Sequence, residues 1–340
     1  MVNINNIKFN NFRNFTHLKT SFDNKLNILF GDNGSGKTNI LEGISLISKG
    51  TGLRNTNFVN LIKSKKALSA EIVNIDLSKD LKVDQINFIQ KAWDENLVLT
   101  FKNQKLNDPQ LLKFSKYFGN LDLPAPNPYG INFSPEYPEI NVISNVKEKG
   151  KPIGILGDGE ATWHADMTYN EIPPKGAILY SLEVPKNQGD THFSNMIAAY
   201  EDMPERLIKK IDGKILIHDA SHNSAGQLRK GYKENADPSL TPGAKHPIIF
   251  KDPTTQKKSL FLGRRPHAYI VGMTIDESES LLNELWLHAT QEKYTFTHRW
   301  QNNEVLMWKN LFVLHKRDSF DPNTRRVMHR TQISGDIRIS

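Results

Sequence analysis

The chain of 340 residues contains no cysteine. This absence excludes disulfide bonds, thiolate metal ligands and iron–sulfur clusters, so any bound metal would need histidine and carboxylate ligands. No apolar run approaches the roughly 20 residues that span a bilayer. The N-terminal MVNINNIKFNNF also lacks the apolar centre and cleavage site of a signal peptide. These absences predict a cytoplasmic protein without a membrane span.

Charge of one sign is in excess only at the start of the chain. Residues 1–66 hold ten lysines and arginines against three acidic residues, and the remaining 274 residues hold 34 of each sign, which gives the net charge of +7. A cationic surface is the usual electrostatic feature of a protein that binds nucleic acid. We therefore expect no nucleic acid partner for the larger part, and the two parts are interpreted separately.

Beyond the basic start, short strand patterns predominate. Apolar runs of strand length recur, among them GAILYSLEV and EVLMW, while NMIAAYEDMPERLIKKI and DESESLLNELWLHAT have helical spacing. Residues 121–160 are rich in proline, glycine and asparagine, and we interpret them as a long loop. This pattern predicts a mainly β protein with helices, arranged as a β-sandwich or jelly roll.

The segment TWHADMTY places His164 and Asp166 two residues apart. At a strand end the two side chains would point the same way, because side chains alternate along a strand. Two imidazoles and one carboxylate on one face of a metal leave three positions open, as in the non-haem Fe(II) oxygenases. The best candidate for the third ligand is His315, at the end of the apolar pattern LFVLH. For the pair alone, a buried hydrogen-bonded couple is the commoner explanation.

Other histidines give weaker signals. His218 and His222 in HDASH have the i, i+4 spacing that binds zinc on a helix. No third ligand is clustered with them, so we interpret them as structural. His329 alternates away from Arg330 along a strand pattern, and we interpret it as a packing residue.

Four motifs in order resemble the taurine dioxygenase (TauD/TfdA) family. They are WHADMTY, GDTHFSNM at 189–196, VLH at 313–315 and RRVMHRT at 325–331, and the resemblance extends from about Ala67 to the C-terminus. It implies a double-stranded β-helix, or jelly-roll, fold and a dioxygenase that depends on Fe(II) and 2-oxoglutarate. It also suggests a dimer or tetramer.

The resemblance implies a role for six residues. They are the iron ligands His164, Asp166 and His315, the residues Thr191 and Arg326 at the distal carboxylate of 2-oxoglutarate, and Arg330 at the cosubstrate or an anionic substrate. A guanidinium offers a carboxylate two parallel, charge-assisted hydrogen bonds, which agrees with these roles. The implied reaction uses O2 to hydroxylate a small anionic organic substrate, such as a sulfonate, a sulfate ester or an aryloxy or other carboxylic acid. Succinate and CO2 are released. A jelly roll that binds metal without turnover is the alternative.

Two positions depart from the family pattern. Lys309 stands where many relatives have aspartate, which affects the contacts of the local turn. Glu160 stands where taurine-specific relatives carry an amide, which argues for a substrate other than taurine. Arg330 nevertheless favours an acidic group on the substrate.

The basic N-terminal part contains a second motif. GDNGSGKT fits the phosphate-binding loop between a predicted strand and a predicted helix, so that Gly31, Gly36, Lys37 and Thr38 would hold the phosphates and Mg²⁺ of ATP. Residues 1–62 resemble the N-terminus of RecF and related SMC-type DNA-repair ATPases. We therefore predict a truncated P-loop β–α fragment at 1–62, a basic linker at 63–66 and the dioxygenase domain at 67–340.

The rest of an ATPase core is missing from the sequence. We find no apolar strand ending in a Walker B acid, no ABC-type signature and no DNA-binding arm, and about sixty residues bury too little to complete such a core. Three possibilities stay open for this part: a non-catalytic remnant from a gene fusion or a mis-called start, nucleotide binding without turnover, and a working DNA-repair ATPase. A nucleotide-binding protein associated with DNA repair is therefore the alternative function.

Overall fold

The structure is a computed structural model. The residues that it describes are 6–12, 15–21, 40–41, 68–125, 130–156, 161–224, 226–263 and 267–339. The predicted phosphate-binding residues Gly31, Gly36, Lys37 and Thr38 lie outside this part, as do the linker and Glu160. Among the described residues, none of the helices combines the length and the apolarity that crossing a bilayer requires.

The chain divides into two units, one formed by residues 1–63 and 71–75 and the other by residues 64–70 and 76–340. In the smaller unit, strand β1 (Asn6–Phe12) pairs antiparallel with β2 (Phe15–Ser21). The domain boundaries at 62 and 66 stay a prediction.

From Ser69 onward the described chain is built mainly from short strands. They are β3 (Ser69–Ile72), β4 (Val98–Phe101), β5 (Leu121–Asp122), β6 (Asn141–Ser144), β7 (Lys147–Glu148), β8 (Lys151–Pro152), β9 (Ala161–His164), β10 (Gly176–Glu183), β11 (Thr191–Asn195), β12 (Ile215–Ile217), β13 (Lys245–Pro247), β14 (Ile249–Lys251), β15 (Lys258–Leu260), β16 (Tyr269–Ile270), β17 (Thr295–His298), β18 (Val305–Lys309), β19 (Val313–Arg317) and β20 (Val327–Ile333). The predicted mainly β architecture with inserted helices is confirmed.

The helices of this part are α1 (Val83–Asn96), α2 (Asp108–Lys116), α3 (Met196–Glu201), α4 (Glu205–Ile211) and α5 (Ile275–Ala289). The single helix predicted for NMIAAYEDMPERLIKKI is wrong, because α3 and α4 are separate. Pro204 precedes the first residue of α4. Proline lacks the N–H that a continuing helix needs, and its ring clashes with the preceding turn.

The prediction of one long loop over residues 121–160 is wrong in part. Four short strands, β5 to β8, lie in this stretch. Strand β6 pairs with β20, and Asn141 lies opposite Arg330. Since the hydrogen-bonding partner is almost two hundred residues away, the local sequence pattern gives no sign of the pairing.

Two antiparallel sheets form the core. The larger sheet contains the order β4–β18–β10–β20–β5, with β6 also against β20, and the smaller sheet has the order β17–β11–β19–β9. One buried apolar cluster joins them, with Leu179, Leu306 and Trp308 from the larger sheet and Phe193 and Val313 from the smaller one. The two sheets therefore face each other across a shared core.

The other face of the larger sheet is covered by α1 and α2. Central strand β10 is buried on both faces over Gly176–Ser181, which explains its continuous apolar sequence. Gly176 lies against the ring of Trp93 on α1, and a Cβ atom at this position would lie 2.4 Å from the ring. A residue with a side chain at 176 would force the helix away from the sheet.

We expect Leu306→Ala to destabilise the protein by about 2–5 kcal/mol, because Leu306 is fully buried between the two sheets and its truncation leaves a cavity. The matched control is Leu287→Ala on α5, where the leucine is 75% exposed and the change should stay within about 0.5 kcal/mol. Urea unfolding of the two variants measures the difference. Equal losses would contradict the assignment of this layer as a buried core.

Candidate metal centre

The two candidate histidines lie on neighbouring strands. His164 is the last residue of β9 and His315 is the third residue of β19, and the antiparallel register places them opposite each other. Their ring centroids are 4.2 Å apart, and both side chains are buried. Cross-strand neighbours on one face of a sheet stand this close. The backbone pairing itself therefore brings two imidazoles to one point.

Asp166 completes the group from a turn. The expectation that strand alternation aligns it with His164 is wrong, because β9 ends at His164 and Asp166 follows in the turn. Its Oδ1 lies 3.9 Å from Nε2 of His164, and its Oδ2 lies 3.9 Å from Nε2 of His315. The three side chains each offer one ligand atom within 4.8 Å of the others, and no other such group occurs in the described part of the chain.

A hydrogen bond to the backbone sets the orientation of His164. Its Nδ1 lies 2.7 Å from the carbonyl oxygen of Thr162. A carbonyl only accepts, so Nδ1 carries the proton of this hydrogen bond, and in the neutral imidazole Nε2, on the side of Asp166, keeps its lone pair. This is the arrangement by which proteins prepare histidine as a metal ligand.

Arg330 lies beside the same carboxylate. Its Nη1 donates to Oδ1 of Asp166 at 3.1 Å, from the central part of β20. Its buried Nε has no hydrogen-bond partner among the residues described. The site therefore has a guanidinium at its edge with a donor left over, which suits an anion.

Arg326 is a deeply buried charged side chain, with 1% of its surface exposed. Its Nη1 donates to the carbonyl oxygen of Gly189 at 2.9 Å, while its Nε has no partner in the described part of the structure. Burial, together with the nearby charge of Arg317, lowers the pKa of this guanidinium to about 9, and the charge of Asp190 acts in the opposite direction. Arg326 is thus a cation at neutral pH in a place that favours the neutral form.

Gly189 is required by this contact. Its φ angle is +64°, and a Cβ atom on it would lie 2.5 Å from Nη1 of Arg326. Two residues later, the buried Thr191 begins β11 and accepts a hydrogen bond from Nε1 of Trp300 at 2.9 Å. The hydroxyl of Thr191 therefore keeps its own proton to donate. The segment from 189 to 191 thus contacts Arg326 at Gly189 and carries the Thr191 hydroxyl two residues later.

The remaining histidines lie elsewhere. HDASH does not form a helix, so its i, i+4 spacing does not place two rings on one face. His218 stacks on Phe261 at 5.1 Å, and burial lowers its pKa well below the usual value. His222 instead pairs with Asp219, with 2.9 Å between Nδ1 and Oδ2.

His329 points away from the candidate metal centre. Its Nδ1 lies 2.7 Å from Oδ1 of Asp108, at the start of α2, whereas its neighbour Arg330 reaches Asp166. Alternation along β20 thus sends the two side chains to opposite faces of the sheet.

Lys309 has its own acidic partner. Its ammonium forms an ion pair with Asp94 on α1 and lies 4.3 Å from the ring centroid of Trp93. A basic residue at this position is therefore balanced by an acidic residue on the helix that covers the larger sheet. The departure from the family pattern leaves the metal centre intact.

The sequence did not identify Asn310 or Trp300 as residues of the site. Asn310 binds the backbone of Asp166, and Trp300 binds the hydroxyl of Thr191. The one available signal for Asn310 was its place in the β18–β19 turn, five residues before His315. Nothing in the local pattern of Trp300 distinguishes it from a core residue.

Comparisons with known proteins agree with this geometry. Residues 60–332 match the family described as "Taurine catabolism dioxygenase TauD, TfdA family". An alpha-ketoglutarate-dependent 2,4-dichlorophenoxyacetate dioxygenase of Cupriavidus pinatubonensis is 30% identical over 277 residues, which cover 79% of this chain and 95% of the relative. An alkylsulfatase of Acinetobacter baylyi is 29% identical, with 83% and 87% covered.

Solved structures show the same fold. A crystal structure of AAD-2 with Mn(II) and N-oxalylglycine superposes with a TM-score of 0.67 at 25% identity, covering 82% of this chain and 98% of the other. A taurine dioxygenase from Burkholderia xenovorans gives a TM-score of 0.67 at 27% identity, with 82% and 90% covered. The fold and the His–Asp–His group are those of an α-ketoglutarate-dependent dioxygenase, a class that uses Fe(II) and 2-oxoglutarate. The chain belongs to the TauD/TfdA family.

We expect Lys309→Asp to destabilise the protein, because it places a second carboxylate against Asp94. The exchange Asp94→Lys together with Lys309→Asp should restore part of the loss. Since the pair is partly exposed, a coupling of about 1 kcal/mol is expected in the double-mutant cycle by urea unfolding. A coupling near zero would show that the ion pair contributes nothing to the β18–β19 turn.

Proposed function

We propose that His164, Asp166 and His315 hold the catalytic Fe(II). The observation that carries this proposal is the meeting of three buried side chains, distant in sequence, with their ligand atoms within 4.8 Å. Two imidazole nitrogens and one carboxylate are the donor set of non-haem Fe(II) oxygenases, and they leave coordination positions for other ligands. The proton on Nδ1 of His164 supports this role, since it leaves Nε2 for the metal.

We propose that Arg326 and Thr191 bind the distal carboxylate of 2-oxoglutarate. Arg326 is a buried cation with an unused donor, and burial without an anion is unfavourable. Thr191, the first residue of β11, adds a neutral hydroxyl donor. The charge of Asp190 compensates this burial only in part, so a bound dicarboxylate would add a partner for the guanidinium.

The arrangement of the two sheets agrees with this function. We propose that the two facing sheets form the double-stranded β-helix of the family, with the metal centre on the smaller sheet. The dimeric or tetrameric assembly and the cytoplasmic location stay predictions from the sequence. The nucleotide-binding alternative rests on residues outside the described part, and it stays a prediction from the GDNGSGKT motif alone.

We propose that the substrate is a small organic anion with an apolar body. Arg330 supplies the positive charge beside the centre, and Asn141 lies opposite it on β6. Asn141 also lines a cavity of about 270 Å³, whose apolar walls include Leu123, Ile131, Phe133, Ile140 and Val142. The named activities of relatives, on 2,4-dichlorophenoxyacetate and on sulfate esters, fit this combination of charge and apolar surface. An aryloxy carboxylate or an alkyl sulfate is accordingly the substrate class that we favour.

When bound, Fe(II) and 2-oxoglutarate supply the oxidising chemistry, in which O2 hydroxylates a substrate C–H bond and succinate and CO2 are released. The residues of the chain bind and orient the reactants. The ring centroids of Phe193 and Trp308 lie 6.0 and 5.1 Å from that of His315. This histidine therefore packs against apolar rings that exclude water. Arg330 attracts the anionic end of the substrate toward the open side of the site.

We expect the full chain with Fe(II), 2-oxoglutarate and O2 to form succinate when given an aryloxyacetate or an alkyl sulfate. His164→Ala should abolish this product, because the removal of one imidazole leaves an incomplete donor set. His329→Ala is the matched control, since this histidine points to the opposite face of the sheet and should keep most of the activity. Succinate is measured by chromatography. Iron binding without substrate-dependent succinate would instead support a metal-binding jelly roll without turnover.

We expect the affinity for 2-oxoglutarate to fall as the pH rises through about 9. The pKa of Arg326 is lowered to about 9, so its charge is present below this pH and is lost above it. Calorimetric titration between about pH 7 and about pH 10 measures the effect, with Arg326→Met as the variant that should not bind at any pH. Arg325→Gln is the control, because Arg325 forms an exposed ion pair with Glu183. A constant affinity across this range would contradict the role given to Arg326.

A further inference from the structure

The turn that follows β9 lacks the support of a sheet. His164 and His315 are fixed by the pairing of their strands, but Asp166 lies beyond the last residue of β9. The next residue, Met167, has a φ angle of +50°, a conformation that residues with side chains rarely adopt. Contacts from elsewhere in the fold must therefore hold this turn in shape.

Asn310 makes such contacts. Its Oδ1 accepts a hydrogen bond from the backbone N–H of Asp166 at 2.7 Å, and its Nδ2 donates to the carbonyl oxygen of Asp166 at 2.8 Å. The same Nδ2 donates to the carbonyl oxygen of Pro174 at 2.9 Å. Asn310 is 1% exposed, so water does not compete for these groups. Its amide thus makes the hydrogen bonds to the backbone of Asp166 that a neighbouring strand would otherwise make.

The chemistry of the contact is specific to an amide. Only a side chain with an acceptor and two donors on one planar group can satisfy both backbone groups of Asp166 and the carbonyl of Pro174. A flipped amide would place N–H groups against the N–H of Asp166, so the partners themselves fix its orientation. Alanine would leave three buried backbone groups without this partner.

The position of Asn310 in the chain connects the two halves of the metal centre. It lies in the turn between β18 and β19, and β19 carries His315. Its own backbone N–H donates to the carbonyl oxygen of Lys175 at 3.0 Å. The turn that carries Asp166 is therefore tied directly to the turn that leads to His315.

His246 holds the same segment from its far end. Its Nε2 lies 2.9 Å from the carbonyl oxygen of Thr168 and 3.0 Å from that of Asn170, so it donates to both. His246 is 1% exposed, and its ring packs edge-on against His218. The residues after Asp166 are thus anchored independently, and the clamp by Asn310 acts on Asp166 itself.

We propose that Asn310 is the positioning residue that sets the carboxylate of Asp166 against the two histidines. It does not touch the metal or the substrate, and it acts through the backbone of Asp166. This inference rests on the proposed metal centre. Residues that orient metal ligands from behind commonly change metal affinity by roughly 10- to 100-fold when they are replaced.

The test is Mn(II) binding by the full-length apoprotein, measured from the electron paramagnetic resonance signal of the free ion. We expect Asn310→Ala to weaken Mn(II) binding by roughly 10- to 100-fold. Asn310→Asp keeps the shape and the acceptor but loses the donors, and we expect it to weaken binding as well. It also serves as the second variant if the alanine protein does not fold.

Asn96→Ala is the matched control. Asn96 is a buried asparagine whose Nδ2 donates to the carbonyl oxygen of Ala92 at 2.8 Å, at the end of α1 and outside the metal centre. Its replacement should lower the unfolding temperature but leave the Mn(II) affinity unchanged. Rescue of succinate formation in the Asn310 variants by excess metal would agree with a positioning role.

Asp166→Ala distinguishes a failure of the proposed metal centre from a failure of the role given to Asn310. If this variant binds Mn(II) as tightly as the native chain, the proposed metal centre is wrong. If it loses Mn(II) while both Asn310 variants bind as tightly as Asn96→Ala, the metal centre stands and the proposal for Asn310 is overturned.

Discussion

The antiparallel pairing of β9 with β19 is the interaction on which the candidate site depends. It places His164 and His315 opposite each other, and Val313 on the same strand β19 is buried in the apolar cluster between the two sheets. A shift of one residue in this register would send one imidazole to the other face. The hydrophobic core therefore fixes the chemistry, because the same strands that exclude water also determine which side chains meet.

Around this pair, the charges are arranged with an excess of positive groups. Asp166 is the carboxylate of the group, while Arg330 on β20 lies against it and Arg326 is buried immediately before the first residue of that strand. Arg330 has a carboxylate partner, but the nearest hydrogen bond of Arg326 goes to a neutral carbonyl. In the proposed function these guanidiniums attract small anions, and a low-dielectric surrounding strengthens that attraction.

Much of the site was predictable from sequence because its residues carry recognisable chemistry at strand ends. TWHADMTY and VLH gave the two histidines, and strand order then placed them together. Asp166 was identified correctly as a neighbour but for the wrong physical reason, since a turn and not strand alternation directs its carboxylate. The three donors converge through long-range pairing, which only the family resemblance could anticipate.

Other features depended on contacts that no local pattern reveals. Strand β6 forms because β20 offers it hydrogen bonds, and Asn310 is defined by the backbone that it touches. The break at Pro204 is different, because a proline inside a helical pattern is a visible signal that the helix should end. Local rules were thus sufficient for helix ends and apolar strands, whereas the supporting contacts of the site required the folded chain.

The burial of Arg326 has a consequence for the resistance of the protein to degradation. Burial of this cation raises the free energy of the native state, the charge of Asp190 offsets only part of that cost, and a bound dicarboxylate would reduce it further. If Arg326 holds 2-oxoglutarate as proposed, binding also shifts the balance away from unfolded chains. Resistance to proteolysis would then follow the supply of this central metabolite, so that the enzyme persists longest where its cosubstrate is abundant.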